Sequence, residues 1–176
     1  MDPVRPAPLV VVMGVSGVGK STVGQALATR LGVPYADGDD FHPPENVAAM
    51  AAGRPLTDAE REPWLDTVGA WLADHVGSGA VVSCSALRRR YRDRLRAAAP
   101  DCVFLSLQAS RDVLLERMRT REHFMPPALL DSQLATLEPL APDEPGLTVD
   151  AGGAPSEVVD TFLRRSEGGG GPANSV

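Results

Sequence analysis

The chain has 176 residues, enough to bury one core and suited to a single domain. Its apolar share of 43 % and charged share of 23 % are those of an ordinary globular protein. A net charge of -6 argues against a nucleic-acid or membrane-surface partner, which calls for a basic field, but still allows an acidic small molecule held by a local arginine cluster.

In chain order, residues 1–7 are Pro-rich and are expected to be a flexible lead-in to a folded domain over 8–166. Leu9 to Met13 is a short apolar run ending at a glycine, the pattern of a central parallel strand. An amphipathic helix follows, with Val23, Ala26, Leu27 and Leu31 as its apolar stripe and Gly32 as its stop. Val33 to Asp37 predicts a second strand, and Glu45 to Ala52 a short helix. Thr57-Asp58-Ala59-Glu60 reads as a capping box opening a helix that carries Trp64, Leu65, Val68, Trp71 and Leu72 on one face. Ala80 to Ser83 predicts a third strand, Leu87 to Ala98 a strongly basic helix, and Cys102 to Leu107 a fourth strand. Ser110 caps a helix to about Arg119, a polar break over about 119–127 predicts a lid, and Pro127 to Leu137 predicts a further helix. Leu147 to Asp150 and Ser156 to Arg165 complete the series, before a glycine-rich tail over 167–176 that should be flexible. Strands alternating with helices predict a three-layer α/β/α fold around a five-stranded parallel sheet.

The two cysteines, Cys84 and Cys102, lie in apolar stretches and are expected as reduced core thiols, and no metal-ligand spacing is present. The N-terminal apolar run is too short for a signal or a membrane span, so a cytoplasmic protein is expected.

The segment Gly14-Val15-Ser16-Gly17-Val18-Gly19-Lys20-Ser21, followed by Thr22, matches the P-loop pattern G-x-x-x-x-G-K-[ST]. The glycines allow backbone N–H groups to turn inward around phosphates, and the helix N-terminus adds its dipole. Lys20 would reach the β- and γ-phosphates of ATP, and the Ser21 hydroxyl would ligate Mg²⁺. Of the 17 Lys and Arg side chains only Lys20 is a lysine, so the chain keeps its one compact, flexible cation for this loop. The same glycines cannot be written as a G-x-G-x-x-G dinucleotide fingerprint.

Asp37-Gly38-Asp39-Asp40-Phe41-His42-Pro43 follows the second strand. In such sheets the carboxyl ends of the strands face the ligand crevice, so Asp37 and Asp39 are placed near the γ-phosphate. One carboxylate would orient a Mg²⁺-bound water and the other would accept a proton from an attacking hydroxyl. The competing reading of this segment is an Asx-turn that merely closes the loop.

With these motifs the chain resembles the gluconokinase family of small P-loop kinases, relatives of shikimate kinase. The likeness runs over about residues 9–165. It is carried by Met13 to Ser21, Asp37-Gly38-Asp39 with His42-Pro43, Gly53 to Asp58, Arg61 to Leu65, Ser83 to Arg88, Tyr91-Arg92-Asp93, His123 to Pro126, Leu130 to Leu134 and Thr136 to Pro139. The resemblance implies ATP-dependent phosphorylation of D-gluconate at its 6-hydroxyl, a mobile lid and a homodimer. It makes Asp39 the base, Asp37 and Ser21 the Mg²⁺ side, Arg61 and Arg88 the forked cations for the substrate carboxylate, and His42 and His123 donors to the substrate. Arg117 and Arg121 are the lid arginines, with Arg121 acting on the transferring phosphoryl group and Arg117 on ATP. From Arg117 to His123 the spacing is one residue shorter than is usual in the family, which leaves open which lid arginine reaches ATP. A kinase for shikimate, a nucleoside or another small alcohol is the second reading, and a non-catalytic NTP-binding module the third. Most other arginines of the basic helix (Arg89, Arg90, Arg92, Arg94, Arg96) are expected to be solvated or paired with surface acids, with Tyr91 and Leu95 in the core.

Overall fold

Leu9–Met13 is apolar at every position because both faces of this strand, β1, are covered, and all five residues are buried. In the computed structural model, which describes residues 6–120 and 127–168, β1 leads through the glycine loop into α1 (Lys20–Leu31) and then β2 (Tyr35–Asp37). A single 3₁₀ turn (Gly38–Phe41) precedes α2 (Pro44–Ala51) and α3 (Asp58–Ala73). The chain continues as β3 (Ala80–Ser83), α4 (Arg89–Ala98), β4 (Val103–Gln108), α5 (Arg111–Arg119), α6 (Pro127–Thr136), β5 (Gly146–Asp150) and α7 (Pro155–Gly168).

The described strands form one five-stranded sheet in the order β2-β3-β1-β4-β5, every pairing parallel. Side chains alternate across β1: Val10 and Val12 enter a core with Val23 and Leu27 of α1, Leu114 of α5, Leu130 of α6 and Phe162 of α7. Leu9, Val11 and Met13 enter the opposite core with Trp64, Leu65 and Leu72 of α3 and Tyr91 and Leu95 of α4. The result is the expected three-layer α/β/α arrangement, with its ligand crevice where the strand order reverses beside β1.

Local chemistry explains the element ends. Gly32 closes α1 in the left-handed conformation, at φ 67°. The Val33 N–H is drawn into that cap on Ala28 O, which leaves β2 shorter than the run Val33 to Asp37. Thr57 and Glu60 form the full capping box of α3. The basic helix α4 starts at Arg89 rather than Leu87, because Ala86 turns the chain through φ 42° and the Leu87 carbonyl accepts from Glu138 N–H. The last helix runs to Gly168, past the expected end at Arg165. Both cysteines are buried free thiols, pushed up by burial to about 12 (Cys84) and about 11 (Cys102). The expected lid over 119–127 falls mostly on residues 121–126, outside the described residues.

Gly38 marks where the acidic segment presses on β3. A Cβ built there lies 2.4 Å from Ser83 O and 3.4 Å from Cys84 Cα, both backbone atoms. Gly38→Ala is therefore expected to cost on the order of 1–3 kcal/mol through overpacking, measured as a lower denaturant midpoint. An unchanged midpoint would mean that the segment is not pinned to β3.

Candidate active site

The strand register sets the site. Asp37, the last residue of β2, pairs with Ser83, the last of β3, and Ser83 in turn pairs with Val12 of β1. The carboxylate is thereby level with the start of the glycine loop. Gly14, Gly17 and Gly19 all have positive φ (146°, 83° and 100°). A Cβ on Gly14 would meet Leu107 O and Val18 Cγ1 at 2.9 Å each. Gly19 is the N-cap of α1 and no side chain caps the helix, so its first N–H groups are left to an anion. Lys20 Nζ donates to Gly14 O at 2.9 Å and Val15 O at 3.0 Å, which folds the ammonium over the loop. Ser16 N–H is held by Gln133 Oε1 of α6 at 2.7 Å.

Ser21 Oγ donates to Asp37 Oδ2 at 3.1 Å, while Asp37 Oδ1 accepts from Asp39 N–H at 3.0 Å. The Asx-turn and the functional reading of this segment are thus both present in one carboxylate: one oxygen closes the turn and the other faces the loop hydroxyl. Two hard oxygen donors side by side at the loop fit Mg²⁺, which takes few protein ligands and fills its shell with water and phosphate. Asp39 projects into the crevice. Desolvation, then repulsion from Asp37, raise its carboxyl above the ordinary value; its side chain is 79 % exposed, so water screens much of this.

His42 is only 3 % exposed at its side chain and stacks on Trp64, with ring centroids 4.1 Å apart. Burial, helped by the charge of Arg61, lowers its pKa to about 4, so the ring is neutral at pH 7. Its Nε2 lies 4.0 Å from Asp39 Oδ1. Trp64 Nε1 donates to Gly38 O at 2.7 Å. Trp64 was legible in the sequence as a core residue of α3; that it also holds the acidic segment was not, because nothing local to Trp64 marks a partner 26 residues away.

Arg61, on the first turns of α3, donates to Tyr91 OH at 3.0 Å and lies over that ring at 5.3 Å, while Tyr91 OH donates to Asp58. Tyr91 is buried as expected, and its hydroxyl joins the arginine group of the site. Arg88 is the N-cap residue of α4, and its Nε is buried with no hydrogen-bond partner among the described residues. The preceding segment is tied to the glycine loop through Gly14 N–H to Ser85 O at 3.3 Å. Arg121 and His123 lie outside the described residues.

Arg117 lies on the opposite side of the loop. Its guanidinium donates to Val18 O at 3.0 Å and to Ala151 O. It walls a cavity of about 210 Å³ with Val18, Thr22, Ala151, Pro155 and Val158. The sequence reading did not find this cavity, because apolar side chains and backbone from separate segments carry no motif.

The basic helix corrects one expectation. Arg89, Arg90 and Arg94 do pair with surface acids, namely Asp143, Asp58 and Asp66. Arg92 is instead completely buried and paired with buried Glu144: Nε to Oε1 is 2.7 Å and Nη2 to Oε2 is 3.0 Å. Its remaining donors reach Ala86 O and Pro139 O. Tyr91 and Leu95 bring this arginine into the core with them, and a counter-ion from the loop before β5 makes the burial possible.

A curated gluconokinase of Gluconobacter oxydans (strain 621H) is 49 % identical over 157 residues, covering 88 % of each chain. The chain belongs to the gluconokinase family. Gluconokinase likeness extends to the thermosensitive gluconokinase of Escherichia coli (strain K12), 40 % identical over 76 % of this chain and 73 % of that one. A solved gluconokinase from Sinorhizobium meliloti 1021 superposes with a TM-score of 0.84 at 46 % identity, covering 93 % of this chain and 96 % of the other. The wider family described as Shikimate kinase matches residues 16–163. Membership in this kinase family accounts for the parallel sheet, the loop and the ATP-directed lysine together.

Proposed function

We propose that the protein transfers the γ-phosphoryl group of ATP to the 6-hydroxyl of D-gluconate, giving 6-phospho-D-gluconate and ADP. The observation that carries this reading is the Asp39 carboxylate standing 4.0 Å from the donor edge of neutral His42, beside the glycine loop. Asp39 takes up the hydroxyl proton as oxygen attacks, and His42 orients that hydroxyl. Phosphoryl transfer needs little else than position and charge stabilisation. Lys20 and the loop N–H groups, from Gly14 to Ser21 with Thr22, hold the phosphates. Mg²⁺ on Ser21 and Asp37 would neutralise charge on the phosphate oxygens. Arg61 and Arg88 bind the gluconate carboxylate, supported by the partnerless Nε of Arg88. Arg121 and His123 retain their proposed roles in lid closure and substrate binding. The acidic net charge supports a small molecule rather than a nucleic acid or membrane as partner, and family likeness supports a cytoplasmic homodimer with one kinase domain over 8–166.

A coupled ADP-release screen over gluconate, shikimate, other sugar acids and nucleosides tests the acceptor. Gluconate-dependent ADP release is expected, and its absence overturns the reading. Two variants divide the site. Arg61→Ala should raise the gluconate KM about tenfold or more, the loss of one charge-assisted contact, with the ATP KM unmoved; an unchanged gluconate KM would place the carboxylate elsewhere. The cavity walled by Arg117 is the seat proposed for adenine, with the guanidinium plane against the base. Arg117→Ala should accordingly raise the ATP KM about tenfold and leave the gluconate KM alone, and the opposite pattern would move adenine out of this cavity.

A further inference from the structure

We propose that Asn46 is a positioning residue that locks His42 in the Nε2–H tautomer, so that the imidazole presents one fixed donor to the acceptor hydroxyl beside Asp39. Asn46 is 3 % exposed and lies on α2, one helical turn after His42. Its Nδ2 donates to the Glu60 carbonyl oxygen at 3.1 Å and lies 3.2 Å from His42 Nδ1. A carbonyl oxygen can only accept, so the amide must turn its NH₂ toward Glu60; the inverted amide would set two acceptors against each other. The same NH₂ then points its second hydrogen at His42 Nδ1, which must accept. A neutral imidazole carries one proton, and it is left on Nε2.

The frame around this pair is rigid. The His42 ring is stacked on Trp64 at an interplanar angle of 17°. Glu60 sits in the capping box of α3 and is held by Arg54 through two hydrogen bonds at 2.9 and 2.8 Å. The 4.0 Å from Nε2 to Asp39 Oδ1 is too long for a direct hydrogen bond. A hydroxyl oxygen about 2.8 Å from each atom would close the gap, accepting from Nε2–H and donating to the carboxylate. The other tautomer would aim a lone pair at the Asp39 carboxylate and offer the hydroxyl no donor. The inference rests on the kinase reading only for what the donor binds.

The test uses ¹⁵N-labelled full-length protein and long-range proton–nitrogen correlation at pH 7, with His42 assigned by its absence in His42→Gln. The expected spectrum has a bare Nδ1 and a protonated Nε2, and a protonated Nδ1 overturns the proposal. Asn46→Ala should give mixed tautomers, and Asn46→Asp should move the proton to Nδ1; a pure Nε2–H form in both variants overturns it. Asn46→Asp should also lower kcat/KM for gluconate about 10- to 100-fold, as loss of a histidine's outer partner does, with the ATP KM unchanged. In the His42→Gln background the same change should cost little more, and a fully additive loss would show that Asn46 acts through folding instead. If the wild-type protein releases no ADP with gluconate, the function is wrong, while the spectra, recorded without substrate, still decide the tautomer.

Discussion

Asp39→Asn is expected to lower kcat with gluconate by about 10²- to 10⁴-fold, the usual worth of a positioned general base. The replacement keeps the shape of the side chain and the backbone hydrogen bond from Asp39 N–H to Asp37. It removes the charge that accepts the proton and the repulsion between two neighbouring carboxylates. ATP affinity should hold, because the phosphates are gripped by the loop and Lys20, which Asp39 does not support. The pH profile separates a base from a mere contact. In the wild type kcat/KM falls on the acid side as Asp39 is protonated, and because desolvation and Asp37 raise its pKa, that fall begins at a higher pH than for an ordinary aspartate. The variant should lack this limb. Near-normal turnover with the limb intact would transfer the role of base to another group.

Glu144→Ala is expected to destabilise the fold by about 3–5 kcal/mol, the cost of leaving a buried charge without its partner. Arg92 has no exposed surface, and its guanidinium has two bonds to Glu144 and one each to Ala86 O and Pro139 O. Burial opposes the Glu144 charge, but hydrogen bonds from Arg92 and from Ala141 N–H outweigh it and hold the carboxyl below its ordinary value. The sign follows: a depressed carboxyl contributes stability that is full above the unfolded value of about 4.5 and is lost as pH falls through the folded one. Urea unfolding at pH 7 and at acid pH measures both effects, and the variant should lose this part of the pH dependence. Replacing the pair together, Arg92→Met with Glu144→Leu, should recover most of the loss, since two apolar groups need no counter-ion. A loss below about 1 kcal/mol in the single variant, the range of exposed pairs, would mean that the charge finds water.

What could be read from the sequence was what is local. The glycine loop, the capping box at Thr57 and Glu60, and the aspartates after β2 each span a few residues, and each lies where it was expected. The interactions that reach across the chain left no such trace. Arg92 and Glu144 are 52 residues apart, and an arginine in a run of arginines reads as a surface residue. Asn46 is near His42 in sequence, yet its role depends on Glu60 from another helix. The short β2 and the late start of α4 were hidden for a different reason. Val33 is used in a helix cap and Ala86 adopts a conformation that its residue type does not favour, so local preference is overridden by neighbouring elements.

The order of strands has a consequence for how such an enzyme can change. β1 carries the loop at the middle of the sheet, with β3 and β2 to one side and β4 and β5 to the other. Asp37, His42, Arg61 and Arg88 belong to the β2–β3 side, and the cavity walled by Arg117, Ala151 and Val158 belongs to the β4–β5 side. Donor and acceptor are thus served by separate stretches of chain that meet only at the loop. Substitutions in α2, α3 and the turn before α4 can retune the alcohol that is phosphorylated while the nucleotide half is inherited unaltered.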